Sequence, residues 1–165
     1  KEEGLMLSAT ARANIDLSVI DRTEARDGLG LVSPKAIGGL TSDIGKRVDL
    51  TEAFLARTTS KLSGGNQQKI LFGKSFGRDY DIYILDEPTV GVDVGTRAAL
   101  YRIIKAIAEA GKAVVVISSD LPEVMHLAHR LIVFRNGTIS AEFEGDAIRE
   151  QAILGAFFDQ ERKTA

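Results

Sequence analysis

Two stretches of this chain have residue types and spacing suited to chemistry on a phosphate, and a third stands at a neighbouring strand tip. Ser63-Gly64-Gly65-Asn66 opens a run with helical spacing. A serine and two glycines at a helix start leave backbone N–H groups at the positive end of the helix dipole, with a hydroxyl alongside. Glycine matters there because a Cβ would block close approach of an oxygen. Further along, the apolar run Ile82-Tyr83-Ile84-Leu85 ends in Asp86-Glu87. A carboxylate at the carboxyl end of a buried strand commonly holds a nucleotide-bound Mg²⁺ through water, and its neighbour could polarise an attacking water as general base. Two such carboxylates repel each other unless a cation is near. The third stretch, Ser118-Ser119-Asp120, lies at the tip of the next apolar run. Each has a plainer reading. Ser63 could be only an N-cap, and Asp86-Glu87 only the exit of a strand into solvent.

A phosphate-cradling Gly-x-x-x-x-Gly-Lys-[Ser/Thr] is missing from the sequence. Gly39 to Arg47 comes nearest, but five residues separate its glycines and Arg47 stands where a Mg²⁺-ligating Ser or Thr belongs. No strand precedes it, and the spacing rejects it as a phosphate loop. His126 and His129 fall in or just after a helical segment and read as packing or surface residues.

Certain elements must position these groups. Ser63 caps a helix expected over 66–77, with Ile70, Leu71 and Phe76 inward. Residues 82–85 and 113–117 read as strands buried on both faces. Between them, 96–110 has Leu100, Ile103, Ile104 and Ile107 at helical spacing and closes on Gly111. A short helix is expected over 121–128, then strands over 130–134 and 138–143 joined by Asn136-Gly137, a preferred hairpin turn. Residues 146–158 form a closing helix, with a frayed tail beyond. The first sixty residues read as helical and loop-rich: Ser8 to Asn14 starts a helix, and glycines at 28, 30, 38, 39 and 45 with Pro34 break the next stretch into short pieces. Strands alternating with helices mean an α/β fold with a mainly parallel sheet. The domains expected are 1–77, helical; 78–145, a sheet-bearing core; and 146–165, a helix and tail.

The 165 residues suffice for one ordinary core. With 44% hydrophobic and 27% charged residues the balance is that of a globular protein. A net charge of −2 without a basic block argues against a nucleic-acid surface. The absence of cysteine excludes disulfides and thiolate metal sites. No apolar run approaches the roughly twenty residues of a membrane span. Because the chain starts at Lys1, mid-pattern, it is read as a piece of a longer protein.

Leu62-Ser63-Gly64-Gly65-Asn66-Gln67-Gln68-Lys69 followed by Ile82-Tyr83-Ile84-Leu85-Asp86-Glu87-Pro88-Thr89 resembles the signature motif and Walker B strand of ATP-binding-cassette (ABC) ATPases. Pro88 to Asp93 continues as the D-loop of that family does. Asn66, the stretch Asp86 to Gly95 and the stretch Ser118 to Val124 resemble the second half of the duplicated ATP-binding subunits of ribose-, xylose- and galactose-type importers. Ser119 stands where most ABC ATPases carry a histidine, and its loss is usual in that second half. Lys1 to Leu5 is similar to the segment after the family's Q-loop, which places the phosphate loop upstream of Lys1. Residues 20–60 depart from the family's wording.

The resemblance implies a truncated P-loop NTPase core with a helical subdomain, using ATP and Mg²⁺. Ser63, Gly64, Gly65 and Asn66 would face ATP held by the other nucleotide-binding half. Asp86 would hold Mg²⁺ through water, Glu87 would be the catalytic base, Asp93 would couple the two sites, and Ser119 would mark the altered switch position. Implied partners are that other half, transmembrane permease subunits and, indirectly, a sugar-binding protein outside the membrane; the location is peripheral, on the cytoplasmic face of the cell membrane. Lacking a phosphate loop, the chain alone should not hydrolyse ATP. The alternative is a piece of a soluble ABC ATPase of translation or DNA repair, with no membrane partner.

Overall fold

In a computed structural model, residues 4–158 are described. They fall into two compact units. One comprises the chain up to Ile84 together with Pro88–Val115; the other comprises Leu85–Glu87 and the chain from Val116 onward.

The first unit begins with α1, Ala11–Val19, whose N-cap Thr10 accepts a hydrogen bond from the Ala13 N–H at 3.1 Å. α2 runs from Pro34 to Arg47, capped by Ser33 with Pro34 in its first turn. Here the expectation of short pieces fails, since Gly38, Gly39 and Gly45 all lie within one 14-residue helix. Favourable ends and the burial of Thr41 and Ile44 outweigh the weak helix propensity of glycine. The rejected phosphate loop is therefore helix. After a short α3, Glu52–Leu55, comes α4, Gly64–Ser75. Ile70, Phe72 and Phe76 are buried, whereas Leu71 is only half-buried.

α1 and α4 approach closely: a Cβ on Gly73 would sit 3.1 Å from Ile15 Cδ1. Asn14, fully buried, joins the segments ahead of α4. Its Oδ1 accepts from the Met6 N–H at 2.8 Å, and its Nδ2 donates to Met6 O, Thr10 O and Thr59 Oγ1 within 3.1 Å. A buried amide so fully paired fixes the chain leading into Ser63.

β1, Ile82–Asp86, pairs with β2, Ala113–Ile117. The bonds from Ala113 N–H to Asp81 O (2.9 Å) and from Glu87 N–H to Ile117 O (2.8 Å) set them parallel. α5, Val94–Glu109, makes the connection and buries Leu100, Ile103, Ile104 and Ile107 as the spacing predicts. Burial of the strands on both faces is not observed. Tyr83 is buried, but Ile82 and Ile84 are 62% and 69% exposed, and Val115 and Ile117 are 48% and 51% exposed. Strands composed for a doubly covered sheet have one face bare among the described residues.

The second unit has α6, Leu121–Leu127, then β3, Arg130–Arg135, paired antiparallel with β4, Thr138–Glu144. Asn136 and Gly137 both have positive φ, 49° and 77°, as the tight turn between these strands requires. Leu131, Val133 and Ile153 form its core, with Leu121, Val124 and Phe143 packed around them. The closing helix α7 starts at Glu150 rather than 146, since Gly145–Ala147 makes a separate 3₁₀ turn. The tail beyond 158, and Lys1 to Glu3, lie outside the described residues. Among the described residues no helix is long and apolar enough to cross a membrane.

Candidate functional site

The candidate residues gather into two clusters, one in each unit. In the first, Ser63 is exposed and caps α4, its Oγ accepting from the Asn66 N–H at 3.3 Å. A hydroxyl that accepts along the helix keeps its own proton to donate outward. The first N–H groups of a helix have no acceptor within it, so those of Gly64 and Gly65 are available to an anion. Gly65 is buried, and the reason lies in α5. A Cβ on it would lie 2.6 Å from Thr96 Oγ1 and 2.7 Å from Thr96 Cγ2.

Asp93 is the N-cap of α5. Its Oδ1 accepts from the Thr96 N–H at 2.9 Å and its Oδ2 from the Thr96 hydroxyl at 2.8 Å. These two bonds, the backbone one foremost, hold the Asp93 carboxyl below its ordinary pKa. Ser63, Gly64, Gly65, Asn66 and Asp93 thus belong to one assembly, and Thr96 completes it. Sequence reading began this helix at Thr96 and missed its contacts. The available signal was Asp93-Val94-Gly95-Thr96, an N-cap residue followed three positions later by a hydroxyl side chain.

In the second cluster, Asp86 ends β1 and is exposed. Glu87 follows with φ 47°, a left-handed conformation unusual for a residue with a side chain. The backbone is held there by the bond from the Glu87 N–H to Ile117 O. Its Oε1 accepts from the Ser119 N–H at 3.0 Å. Its Oε2 is buried without a hydrogen-bond partner in the described residues. Ser119 therefore reaches Glu87 through its backbone, whatever its side chain. Ser118 Oγ accepts from the Asp120 N–H, and Asp120 caps α6 by accepting from the Glu123 N–H, both at 3.0 Å. These caps fix the loop that presents the Ser119 N–H. His126 lines a shallow recess with Leu121, Pro122, Met125 and Glu150.

A buried carboxylate oxygen without a donor is costly unless a water or cation meets it. Among the described residues no group of three or more His, Asp or Glu could cage a metal ion. One strand-end carboxylate suits Mg²⁺, which keeps several waters and takes its other ligands from phosphates.

No protein-family model matches the chain. Relatives do. It is 34% identical over 154 residues to a ribose import ATP-binding protein of Rhizobium etli, covering 93% of this chain. It is 37% identical over 154 residues, again 93% of the chain, to one of Agrobacterium fabrum. A xylose import ATP-binding protein of Burkholderia ambifaria is 36% identical over all 165 residues. In structure, the chain is similar to the dimeric form of a bacterial ABC transporter cassette, with TM-score 0.74 and 26% identity over 87% of this chain and 60% of that one. A post-hydrolysis state of the same cassette, bound to ADP and phosphate, matches with TM-score 0.73 over 85% of this chain and 58% of that one.

The chain belongs to the ABC ATP-binding family. It spans about 30% of the length of the curated relatives it matches. Ser63-Gly64-Gly65 stands at the start of α4, and Asp86 ends β1 with Glu87 directly after it.

Proposed function

We propose that this chain is part of the energy-coupling ATPase subunit of a sugar importer. The observation that carries the reading is Glu87, strained in backbone, bonded through Oε1 to the Ser119 N–H, and leaving Oε2 buried and unpaired. A side chain held in that way is suited to take a proton from a water. The names of the relatives, ribose and xylose import ATP-binding proteins, point to transport.

Each residue then has a role. Asp86 would hold Mg²⁺, and the ion would neutralise charge on the phosphates. Glu87 orients the attacking water. Ser63, Gly64, Gly65 and Asn66 turn N–H and O–H donors toward the γ-phosphate of an ATP held by another nucleotide-binding half. Asp93 contacts that half. Residues 1–77 serve as the helical subdomain facing a permease at the cytoplasmic side of the membrane, 78–145 as ATPase core, and 146–165 as terminal helix and tail. With no Gly-x-x-x-x-Gly-Lys-[Ser/Thr] in these 165 residues, the phosphate loop comes from elsewhere, and the chain alone is inactive. Ser119 in place of histidine makes the site served by Glu87 the slower of two. The site completed by Ser63 and Gly64 is the faster.

A chimera tests this: residues 4–158 replace the matching segment of a ribose import ATP-binding protein, and steady-state ATP hydrolysis is measured. The chimera should turn over ATP. Gly64→Asp, which sets a carboxylate against the phosphate, should cost about tenfold or more, as removal of a phosphate-facing donor does. Glu87→Gln should cost less than about twofold, in keeping with a non-limiting site. A folded chimera that hydrolyses nothing would overturn the reading. Abolition by Glu87→Gln with Gly64→Asp harmless would overturn the assignment of fast and slow sites.

A further inference from the structure

The contact between Gly65 and Thr96 joins two motifs that are separate in sequence. Gly65 belongs to the turn that opens α4, and Asp93 caps α5. Thr96 touches both. Its hydroxyl donates to Asp93 Oδ2 at 2.8 Å, and the same oxygen lies 2.6 Å from where a Cβ of Gly65 would be. Its methyl carbon lies 2.7 Å from that point on the other branch. The β-branched Thr96 side chain thus fills the space that a Cβ on Gly65 would take, with both branches beside it. Gly95 is tight as well, since a Cβ there would meet Asp93 Oδ1 at 3.3 Å. Asp93, Thr96 and Gly65 form a continuous packed path.

We propose that Thr96 is a positioning residue that links the Asp93 carboxylate mechanically to the phosphate-facing turn at 63–66. This rests on the ATPase reading for its meaning, though its test does not need ATP. Asp93 is exposed and open to a partner surface, whereas Gly65 is buried. A partner that pulls on the Asp93 carboxylate moves the Thr96 hydroxyl with it. Gly65 packs against that side chain, which lies within 3.0 Å of where a Gly65 Cβ would be, so displacing the hydroxyl changes the space the turn occupies. The turn carrying the Ser63 hydroxyl and the Gly64 and Gly65 N–H groups then shifts. Engagement of Asp93 is read out where phosphate would bind, within one polypeptide. Glycine at 65 is required by this path independently of any phosphate.

The coupling is measurable in the 165-residue chain by amide NMR, as a double-mutant comparison. Asp93→Asn keeps an N-cap acceptor but removes the charge that Thr96 bonds. It should shift the Gly64, Gly65 and Asn66 amide resonances. In a Thr96→Val background, where shape is kept and the hydroxyl is lost, the same change should shift them less by about fourfold or more. Thr96→Ser retains the hydroxyl and should restore the response, which a merely space-filling role would not do. If Asp93→Asn moves the amides equally in the Thr96 and Val backgrounds, or if Ser behaves as Val, the link is overturned. Those results leave the ATPase reading untouched, and an inert chimera would leave the link untouched.

Discussion

Glu87 has its backbone at φ 47° and one carboxylate oxygen buried without a partner among the described residues. The left-handed conformation costs about 1–2 kcal/mol for a residue with a Cβ, and glycine relieves it. Glu87→Gly also removes the bond from the Ser119 N–H, so the two effects oppose each other. The urea unfolding free energy of the chain should therefore change by less than about 1 kcal/mol. A loss above about 2 kcal/mol would make the carboxylate a structural group rather than one held ready for chemistry. Asp93 gives a pH-dependent counterpart. The Thr96 N–H and hydroxyl hold its folded pKa below normal. A lowered folded pKa means stabilisation present in full above the ordinary aspartate value of about 3.9 and lost as pH falls through the folded value. Asp93→Asn does not titrate. The stability difference between the native chain and this variant should be flat near about pH 6 and should narrow below about pH 4, read by urea midpoints. A difference that does not move with pH would show that charge contributes nothing to the cap.

At the scale of elements, α2 separates glycines that only weaken a helix from one that packing demands. A Cβ on Gly39 would meet nothing within 4 Å, whereas one on Gly45 would meet Leu55 Cδ1 at 2.9 Å and Leu50 O at 3.1 Å. Gly39→Ala should stabilise the chain by about 0.5–1 kcal/mol. Gly45→Ala should destabilise it, because a backbone carbonyl cannot move aside as a flexible side chain can. Thermal unfolding of both variants checks this, and equal effects would contradict the packing around Gly45. The helix itself was hidden from sequence reading by these glycines. They look like breaks locally, and only the end caps and the burial of Ile44 override them. α4, α5 and the hairpin were legible because capping residues, apolar spacing and Asn136-Gly137 all agree with the final packing.

For the whole molecule, the bare face of the β1–β2 pair is the feature most exposed to experiment. Ile82, Ile84 and Val115 point away from the buried Tyr83 side, and both strands are edges of a two-stranded sheet. Apolar residues beside unpaired strand edges promote association. Sedimentation of the chain should show concentration-dependent self-association. Ile84→Lys should reduce it while leaving the unfolding midpoint almost unchanged, as the side chain is already largely in solvent. A strictly monomeric native chain would mean the face is protected in a way the strand pattern does not reveal.

The sequence by itself determined the α/β class, the Ser63 cap, the carboxylates at the end of β1, and the turn at Asn136-Gly137. All are set by neighbours along the chain: period, cap and turn chemistry act over a few residues. Only the tertiary structure decided that Glu87 adopts a left-handed backbone and takes the Ser119 N–H, across 32 positions of chain. It alone placed Thr96 against Gly65, and it alone uncovered one face of strands whose composition calls for two. Those features depend on which distant atoms come to lie within a few ångströms of one another. A local pattern of residue types carries no such information.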